Sequence, residues 1–239
     1  MNAISELKTL ADFPITQRWP AQHPELIQLY SFPTPNGVKV SIALEELGLP
    51  YEVHKVTLAA EDVKSEAFLS LNPNNKIPAI IDPNGPEGAP IGLFESGAIL
   101  IYLAEKAGKL IGSNPVQKAK TLQWLMFQMG GIGPMFGQIG YFHVYAGSAI
   151  EDPRPKQRYI DEAKRLLNVL EQELADKEWI TGEFSIADIA LVPWLQTLEK
   201  FYNAVEITGL NDHPNVLAYI ERFAARPAVQ KGWKTPLLD

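Results

Sequence analysis

The chain has 239 residues, of which 46% are hydrophobic and 21% are charged, so it can bury a sizeable core in one large domain or two small ones. Its formal net charge of −7 argues against a nucleic acid or an anionic membrane as partner, because both are bound by clustered Lys and Arg. The absence of cysteine excludes disulfides, thiolate metal ligands and a cysteine nucleophile, so any thiol chemistry must use the sulfur of a ligand.

The first part of the chain alternates strand and helix patterns. Residues 1–26 show no clear period and contain three prolines, which predicts an irregular N-terminal extension wrapped on the body. Hydrophobic periodicity then predicts strands over 27–31, 51–58 and 91–94, a short strand ending at Asp82, and helices over 37–47, 61–71 and from Glu95 to near Gly108. This β, α, β, α, β, β, α order predicts a small α/β domain over residues 27–109.

The rest of the chain is predicted to be helical. Gly, Ser, Asn and Pro cluster in residues 110–115, which is typical of a linker, and residues 116–239 form an all-helical domain. Helical patterns cover 116–129, 136–145, 158–175 and 215–225, with a break or kink predicted at the glycine-rich run 130–134. Ser185 and Asp188 have the spacing of a capping box at the start of a further helix.

A polar, proline-punctuated loop over residues 72–78 leads into the strand that ends at Asp82. Pro78 pushes Ile77 towards extended geometry, so the backbone N–H and C=O of Ile77 are predicted to pair with an extended peptide. A cis Ile77–Pro78 bond is also accessible, since the trans preference before proline is only about 0.5–1 kcal/mol. The alternative is an ordinary loop proline.

The stretch 93–103 predicts a helix that carries Glu95 and Ser96 in its first turn. A helix N-terminus with a serine hydroxyl and backbone N–H groups is a candidate carboxylate site. The alternative is that Glu95 and Ser96 only cap the helix.

Three motifs, over residues 33–37, 74–78 and 94–98, together resemble the glutathione transferase superfamily. The resemblance is strongest to its bacterial nu class, whose members are relatives of the fungal nitrogen-regulation prion protein. It implies a thioredoxin-like α/β domain followed by an all-α domain, and glutathione as the ligand. A loop that pairs with a peptide, close to a helix start that binds a carboxylate, suits that ligand.

The resemblance also implies roles for single residues. Thr34 and Asn36 are expected to face the glutathione sulfur as catalytic residues, and the Ile77 backbone before Pro78 is expected to pair with the cysteinyl unit. Four further residues are expected to bind glutathione. Glu95 and Ser96 would hold its γ-glutamyl end, Lys76 would lie near its glycine carboxylate, and Arg158 would reach the site from the helical domain.

Other residues compete for these roles. Ser31 is the rival of Thr34, and Tyr30 lies in a strand where alternation makes the core an equally good destination. Thr34 itself could be a simple helix cap ahead of Pro35. His143 could line a substrate pocket, but a packed or surface histidine is the alternative. No pair of the four histidines has metal-ligand spacing, so no metal is predicted.

The predicted activity is glutathione-dependent reduction of disulfide bonds, with weaker conjugation or peroxidase activity. With no cysteine in the chain, both attacking and resolving sulfurs must come from glutathione, so two molecules are expected per site. Family resemblance alone predicts a homodimer. The sequence has no targeting segment and no apolar run of membrane-spanning length, which predicts a cytoplasmic protein. The alternatives are a non-catalytic glutathione-binding or regulatory protein with the same fold, and a structural adaptor.

Overall fold

A computed structural model describes residues 9–237 of the chain, which form two compact units. The first unit contains the described residues up to Ala107 and those from Gln230 onward, and the second is Gly108–Val229. The sequence analysis assigns the residues from Gln230 onward to the helical domain. In the structure they lie on the first unit, where Ser41 Oγ donates a hydrogen bond of 2.6 Å to the carbonyl oxygen of Gly232.

The first unit is built on a four-stranded mixed sheet in the order β2-β1-β3-β4. Its strands are β1 (Ile27–Ser31), β2 (Tyr51–Lys55), β3 (Ala79–Asp82) and β4 (Ile91–Phe94). β1 pairs with β2 in parallel and with β3 antiparallel, and β3 pairs antiparallel with β4. The helices are α1 (Ile15–Arg18), α2 (Gly37–Leu47), α3 (Ala60–Val63), α4 (Glu66–Leu71) and α5 (Ser96–Ala107). The predicted thioredoxin-like fold is confirmed.

The two faces of the sheet are covered differently. α2 and α5 pack against each other and against the sheet on one face, where Leu29 and Ile80 are fully buried. On the other face, Tyr30 and Phe68 belong to a hydrophobic core that also includes residues from the N-terminal segment, namely Leu10, Phe13 and Ile15. The described part of the predicted extension is therefore part of the core. Residues 1–8 of that extension lie outside the described residues.

Two predicted elements of this unit are corrected by the structure. The helix expected over 61–71 is divided into α3 and α4, because Ser65 is extended (φ −64°, ψ 147°) and its hydroxyl accepts a hydrogen bond from the Phe68 N–H to cap α4. Glu95 does not lie in the first turn of α5. It has φ +70° and precedes the helix, which begins at Ser96.

The second unit is helical. Its helices are α6 (Pro115–Phe127), α7 (Gly133–His143), α8 (Pro153–Glu173), α9 (Ile186–Lys200), α10 (Val205–Thr208) and α11 (Pro214–Ala224), and α12 (Pro227–Gly232) begins in this unit. The break expected at residues 130–134 is instead a π-helical turn over Gln128–Ile132, which joins α6 to α7. Within residues 9–237, no helix has both the length and the apolar character needed to cross a membrane.

Candidate active site

The sheet register brings three separate segments of the first unit to one end of the sheet. Tyr30 of β1 pairs with Ala79 of β3, which pairs in turn with Phe94 of β4. The turn after β1, the Ile77–Pro78 bond before β3 and Glu95 after β4 therefore emerge side by side, and we call this end the site edge. These are the three motifs on which the family resemblance was based.

The loop before β3 is held by one buried side chain. Asn72 is only 2% exposed, its Nδ2 donates to the carbonyl oxygen of Lys76, and its Oδ1 accepts from the Asn74 N–H at 2.9 Å. The Ile77–Pro78 peptide bond that follows is cis, as the sequence allowed. The Asn72 contacts hold the part of the loop that directly precedes Ile77, whose backbone lies at the site edge.

The residue before α5 has a strained backbone. Glu95 is exposed and adopts the left-handed region (φ +70°), which costs a non-glycine residue about 1–3 kcal/mol and is common at functional sites. Its Oε1 accepts a hydrogen bond of 3.4 Å from Asn74 Nδ2, and its carbonyl oxygen accepts from the Ile99 N–H at 2.9 Å. Glu95 therefore caps the helix with its main chain while its carboxylate faces the loop.

Thr34 lies in the turn after β1 and is partly buried. Its Oγ1 accepts a hydrogen bond of 3.1 Å from the Gly37 N–H, the first residue of α2. The turn is tight at Gly37, where a Cβ would lie 1.9 Å from the Phe32 carbonyl oxygen and 2.7 Å from Ser31 Oγ. The capping role and a role towards a ligand are compatible, since a hydroxyl that accepts through a lone pair still has its own proton to donate.

The rivals of Thr34 are buried. Ser31 and Tyr30 both have 0% of their surface exposed. The Tyr30 ring stacks on His54 with ring centroids 4.7 Å apart, and burial raises the pKa of its hydroxyl far above the usual range. Tyr30 is thus a core residue, and Ser31 lies behind the turn that presents Thr34.

Lys39 on α2 is a residue that the sequence analysis did not identify. It is fully buried, and its Nζ donates to Ser96 Oγ at 3.4 Å. Burial lowers the pKa of the Lys39 ammonium to about 7, and the nearby Glu95 carboxylate opposes that shift. A signal was present in the sequence: residues 37–44 contain a single charged residue, and α2 is buried throughout this stretch.

The structure brings most of the predicted residues together in the first unit. Thr34, Asn36, Ile77, Pro78, Glu95 and Ser96 belong to the three segments at the site edge, and the exposed Lys76 lies in the same loop as Ile77. Arg158 lies on α8 of the second unit and is exposed, near Glu162 one turn later. His143 ends α7 and is partly buried. The roles of these residues towards a ligand stay predictions.

Comparison with known proteins identifies the family. The model of the glutathione S-transferase N-terminal domain matches residues 25–105, and that of the C-terminal domain matches residues 138–227. The disulfide-bond oxidoreductase YfcG of Escherichia coli (strain K12) is 43% identical over 205 residues, which are 85% of this chain and 92% of YfcG. The chain belongs to the glutathione S-transferase family.

Two solved structures of glutathione transferases are also similar. The structure from Pseudomonas putida, with one glutathione disulfide bound per subunit, is 58% identical with a TM-score of 0.94, covering 96% of this chain and 100% of that one. The structure from Burkholderia graminis, with two glutathione molecules bound per subunit, is 57% identical with a TM-score of 0.95, covering 99% of both chains. The predicted membership of the superfamily is confirmed.

Within residues 9–237 of this glutathione transferase, no group of three or more His, Asp or Glu side chains is placed to hold a metal ion. The site edge instead offers backbone pairing groups, hydroxyls, a helix N-terminus and a buried ammonium. This is a set of groups suited to a peptide with carboxylates and a thiol.

Proposed function

We propose that this chain is a glutathione-dependent disulfide reductase. The observation that carries the proposal is the convergence of Thr34, the Ile77 backbone and Ser96 at one end of the sheet, in a chain without cysteine. The reacting thiol must therefore come from a ligand, and glutathione supplies it. The disulfide-bond oxidoreductase among its relatives and the glutathione-containing structures support this assignment.

The first glutathione lies along the site edge in this proposal. Its cysteinyl unit pairs with the Ile77 backbone, which continues the sheet as an added strand would. Its γ-glutamyl carboxylate meets the N-terminus of α5 and the Ser96 hydroxyl, while the Glu95 carboxylate faces the γ-glutamyl ammonium. Lys76 is assigned to the remaining carboxylate, and Arg158 of the second unit stays a predicted binding residue.

Thr34 and Asn36 act on the glutathione sulfur. A thiol reacts as its thiolate, and an unperturbed cysteine thiol has a pKa of about 8.5, so the anion must be stabilised near neutral pH. The Thr34 hydroxyl is too weak an acid or base to transfer the proton in this range, but it can donate a hydrogen bond to the thiolate. One such donor to an anion contributes about 1.5–3 kcal/mol, or roughly one to two pKa units.

The reaction then consists of two exchanges. The thiolate of the first glutathione attacks one sulfur of the disulfide, a new S–S bond forms, and one thiolate leaves and takes up a proton. The thiolate of a second glutathione attacks the glutathione sulfur of this mixed disulfide and releases the other thiol. Two glutathione molecules become one glutathione disulfide for each disulfide reduced. The Burkholderia graminis structure with two glutathione molecules per subunit supports this stoichiometry.

The same thiolate allows weaker side reactions, conjugation of small electrophiles and reduction of peroxides. We also propose a homodimer, because of the family, and action in the cytoplasm, where glutathione is kept reduced. The chemistry of the reaction does not depend on the homodimer or on the location in the cytoplasm.

The test is the rate at which the protein reduces bis(2-hydroxyethyl) disulfide with glutathione, followed by coupling the glutathione disulfide formed to glutathione reductase and NADPH. We expect a rate proportional to protein concentration and well above the uncatalysed rate, with heat-unfolded protein as control. Binding of glutathione in a calorimeter without turnover would instead support the non-catalytic binding protein. Absence of both would support the structural adaptor.

A further inference from the structure

Lys39 carries an ammonium group in the interior of the first unit. A lysine is almost never fully buried without a partner, since removing its charge from water is costly. Lys39 has 0% of its surface exposed, and its Nζ lies 3.4 Å from the hydroxyl oxygen of Ser96, which is itself only 3% exposed. The proposed function gives Lys39 no role, although it contacts one of the proposed binding residues directly.

The Lys39 ammonium and the N-terminus of α5 favour an anion at the start of α5, and the neighbouring Glu95 carboxylate opposes them. Glu95 is the carboxylate whose field favours the protonated ammonium. α5 packs on α2 and directs its first N–H groups towards the same end, which adds positive potential there. Of the other titratable groups of these helices, Glu45 on α2 pairs with Lys231, and Tyr102 and Lys106 on α5 both contact Asp82. The two remaining groups, Glu46 and Glu105, lie in the last turns of α2 and α5.

We propose that Lys39 is a positioning residue of the glutathione site, which orients the Ser96 hydroxyl and places a positive charge beneath the γ-glutamyl carboxylate. Ser96 Oγ accepts a hydrogen bond from the Lys39 ammonium, and this contact holds the hydroxyl at the start of α5. This inference rests on the proposed function and deepens it. It also couples glutathione binding to the protonation of Lys39.

The coupling has a definite sign. Burial lowers the pKa of Lys39 to about 7, so a large share of the ligand-free protein carries the neutral amine at neutral pH. A carboxylate bound above the amine favours the charged form, so binding takes up a proton. Between pH 6 and pH 8 the charged fraction falls about tenfold, and the apparent affinity falls with it.

The experiment compares wild type with Lys39→Met, using S-methylglutathione as a probe without a titrating thiol. In wild type, calorimetry at pH 7.5 in phosphate and in Tris should give different heats, because binding takes up part of a proton from the buffer. Affinity should fall about tenfold from pH 6 to pH 8. In Lys39→Met we expect affinity at pH 6 about tenfold weaker or more, a smaller pH dependence, and a kcat at saturating glutathione within about twofold of wild type.

Lys64→Met is the matched control, since Lys64 is an exposed lysine of the same unit and its loss changes the net charge equally. Its affinity and pH dependence should equal those of wild type. Wild type that binds and turns over, with equal heats in both buffers, would overturn the role of Lys39 even if Lys39→Met failed to fold. Wild type that neither binds glutathione nor reduces disulfides would overturn the proposed function itself.

Discussion

The Thr34 hydroxyl is held at the start of α2 by the Gly37 N–H, and this contact makes it a directional donor. A hydroxyl whose oxygen accepts one hydrogen bond has fewer orientations left for its own proton, and less entropy is lost when it meets a thiolate. The sequence suggested a helix cap and a catalytic donor as alternatives for Thr34. The observed geometry is compatible with both roles at once.

Removing the Thr34 hydroxyl should slow disulfide reduction. We expect kcat/KM of Thr34→Ala to be about ten- to a hundredfold lower, the loss of one hydrogen bond to an anion worth roughly 1.5–3 kcal/mol. Thr34→Ser keeps the hydroxyl and should retain most of the activity. The assay is the glutathione-dependent reduction of bis(2-hydroxyethyl) disulfide, with thermal unfolding as a check on the lost cap. Equal rates in Thr34→Ala and wild type would remove Thr34 from the mechanism.

Ser96 acts at a distance from the sulfur, so its loss should affect binding more than chemistry. Ser96→Ala is expected to raise KM for glutathione about ten- to a hundredfold, with little change in kcat at saturation. Ser70→Ala is the control, since Ser70 is an exposed serine of the same unit whose hydroxyl donates to the Ala67 carbonyl oxygen. An unchanged KM in Ser96→Ala would contradict the placement of the γ-glutamyl carboxylate.

Among the helices, α9 has a buried carboxylate in its first turn that accepts several hydrogen bonds. Asp188 is fully buried and accepts hydrogen bonds from the Ile180 N–H (2.9 Å), the Ser185 N–H (2.7 Å), the Ser185 hydroxyl (3.0 Å) and the Tyr219 hydroxyl (2.8 Å). The predicted capping box is confirmed. The contacts to Ile180 and Tyr219 extend it beyond the local motif to two further segments of the second unit.

This arrangement predicts a large loss of stability in Asp188→Ala. The substitution removes the acceptor of several buried donors, each of which costs about 1–3 kcal/mol when left unsatisfied. We expect the midpoint of thermal unfolding to fall by about 6 °C or more. Ser185→Ala, which removes one cap contact worth about 0.5–2 kcal/mol, should have a smaller effect. A similar midpoint for the two variants would mean that Asp188 is only a local cap.

The long elements were predicted because their hydrophobic periodicity is strong. The ends of the short elements depend on local hydrogen bonds and backbone angles, which the periodicity does not show. β1 and α2 have the predicted bounds, and Gly48 ends α2 in the left-handed conformation (φ +67°). Glu95 was placed inside a helix because apolar residues lie on both sides of it. The positive φ that separates β4 from α5 at Glu95 leaves no periodic signature in the sequence.

For the molecule as a whole, the sequence identified three motifs that the sheet brings together, but not the buried residues that hold them in place. Each of the three motifs is a short run of consecutive residues, so it can be recognised in the sequence. The sheet register then brings the three motifs together. Lys39 and Asn72 were not found, because their importance depends on complete burial. A lysine in a helix and an asparagine in a loop are typically exposed. Lys39 carried one signal of burial, as the single charged residue in 37–44, and Asn72 carried none.

The assembly is a further prediction at this scale. We expect light scattering to give a mass near twice the 26.5 kDa of the chain, with and without glutathione. This expectation rests on the family of the chain, whose domain models match residues 25–105 and 138–227. A monomer at micromolar concentration would contradict the proposed homodimer and leave the chemistry at the site edge unaffected.

We propose that this chain, which has no cysteine, reduces disulfides by holding two glutathione molecules in one site. The measurement that tests it most directly is the number of glutathione molecules bound per chain at saturation, determined by equilibrium dialysis with labelled glutathione under anaerobic conditions. We expect two glutathione molecules per chain in active wild-type protein. One per chain, in protein that still reduces disulfides at the full rate, would contradict it.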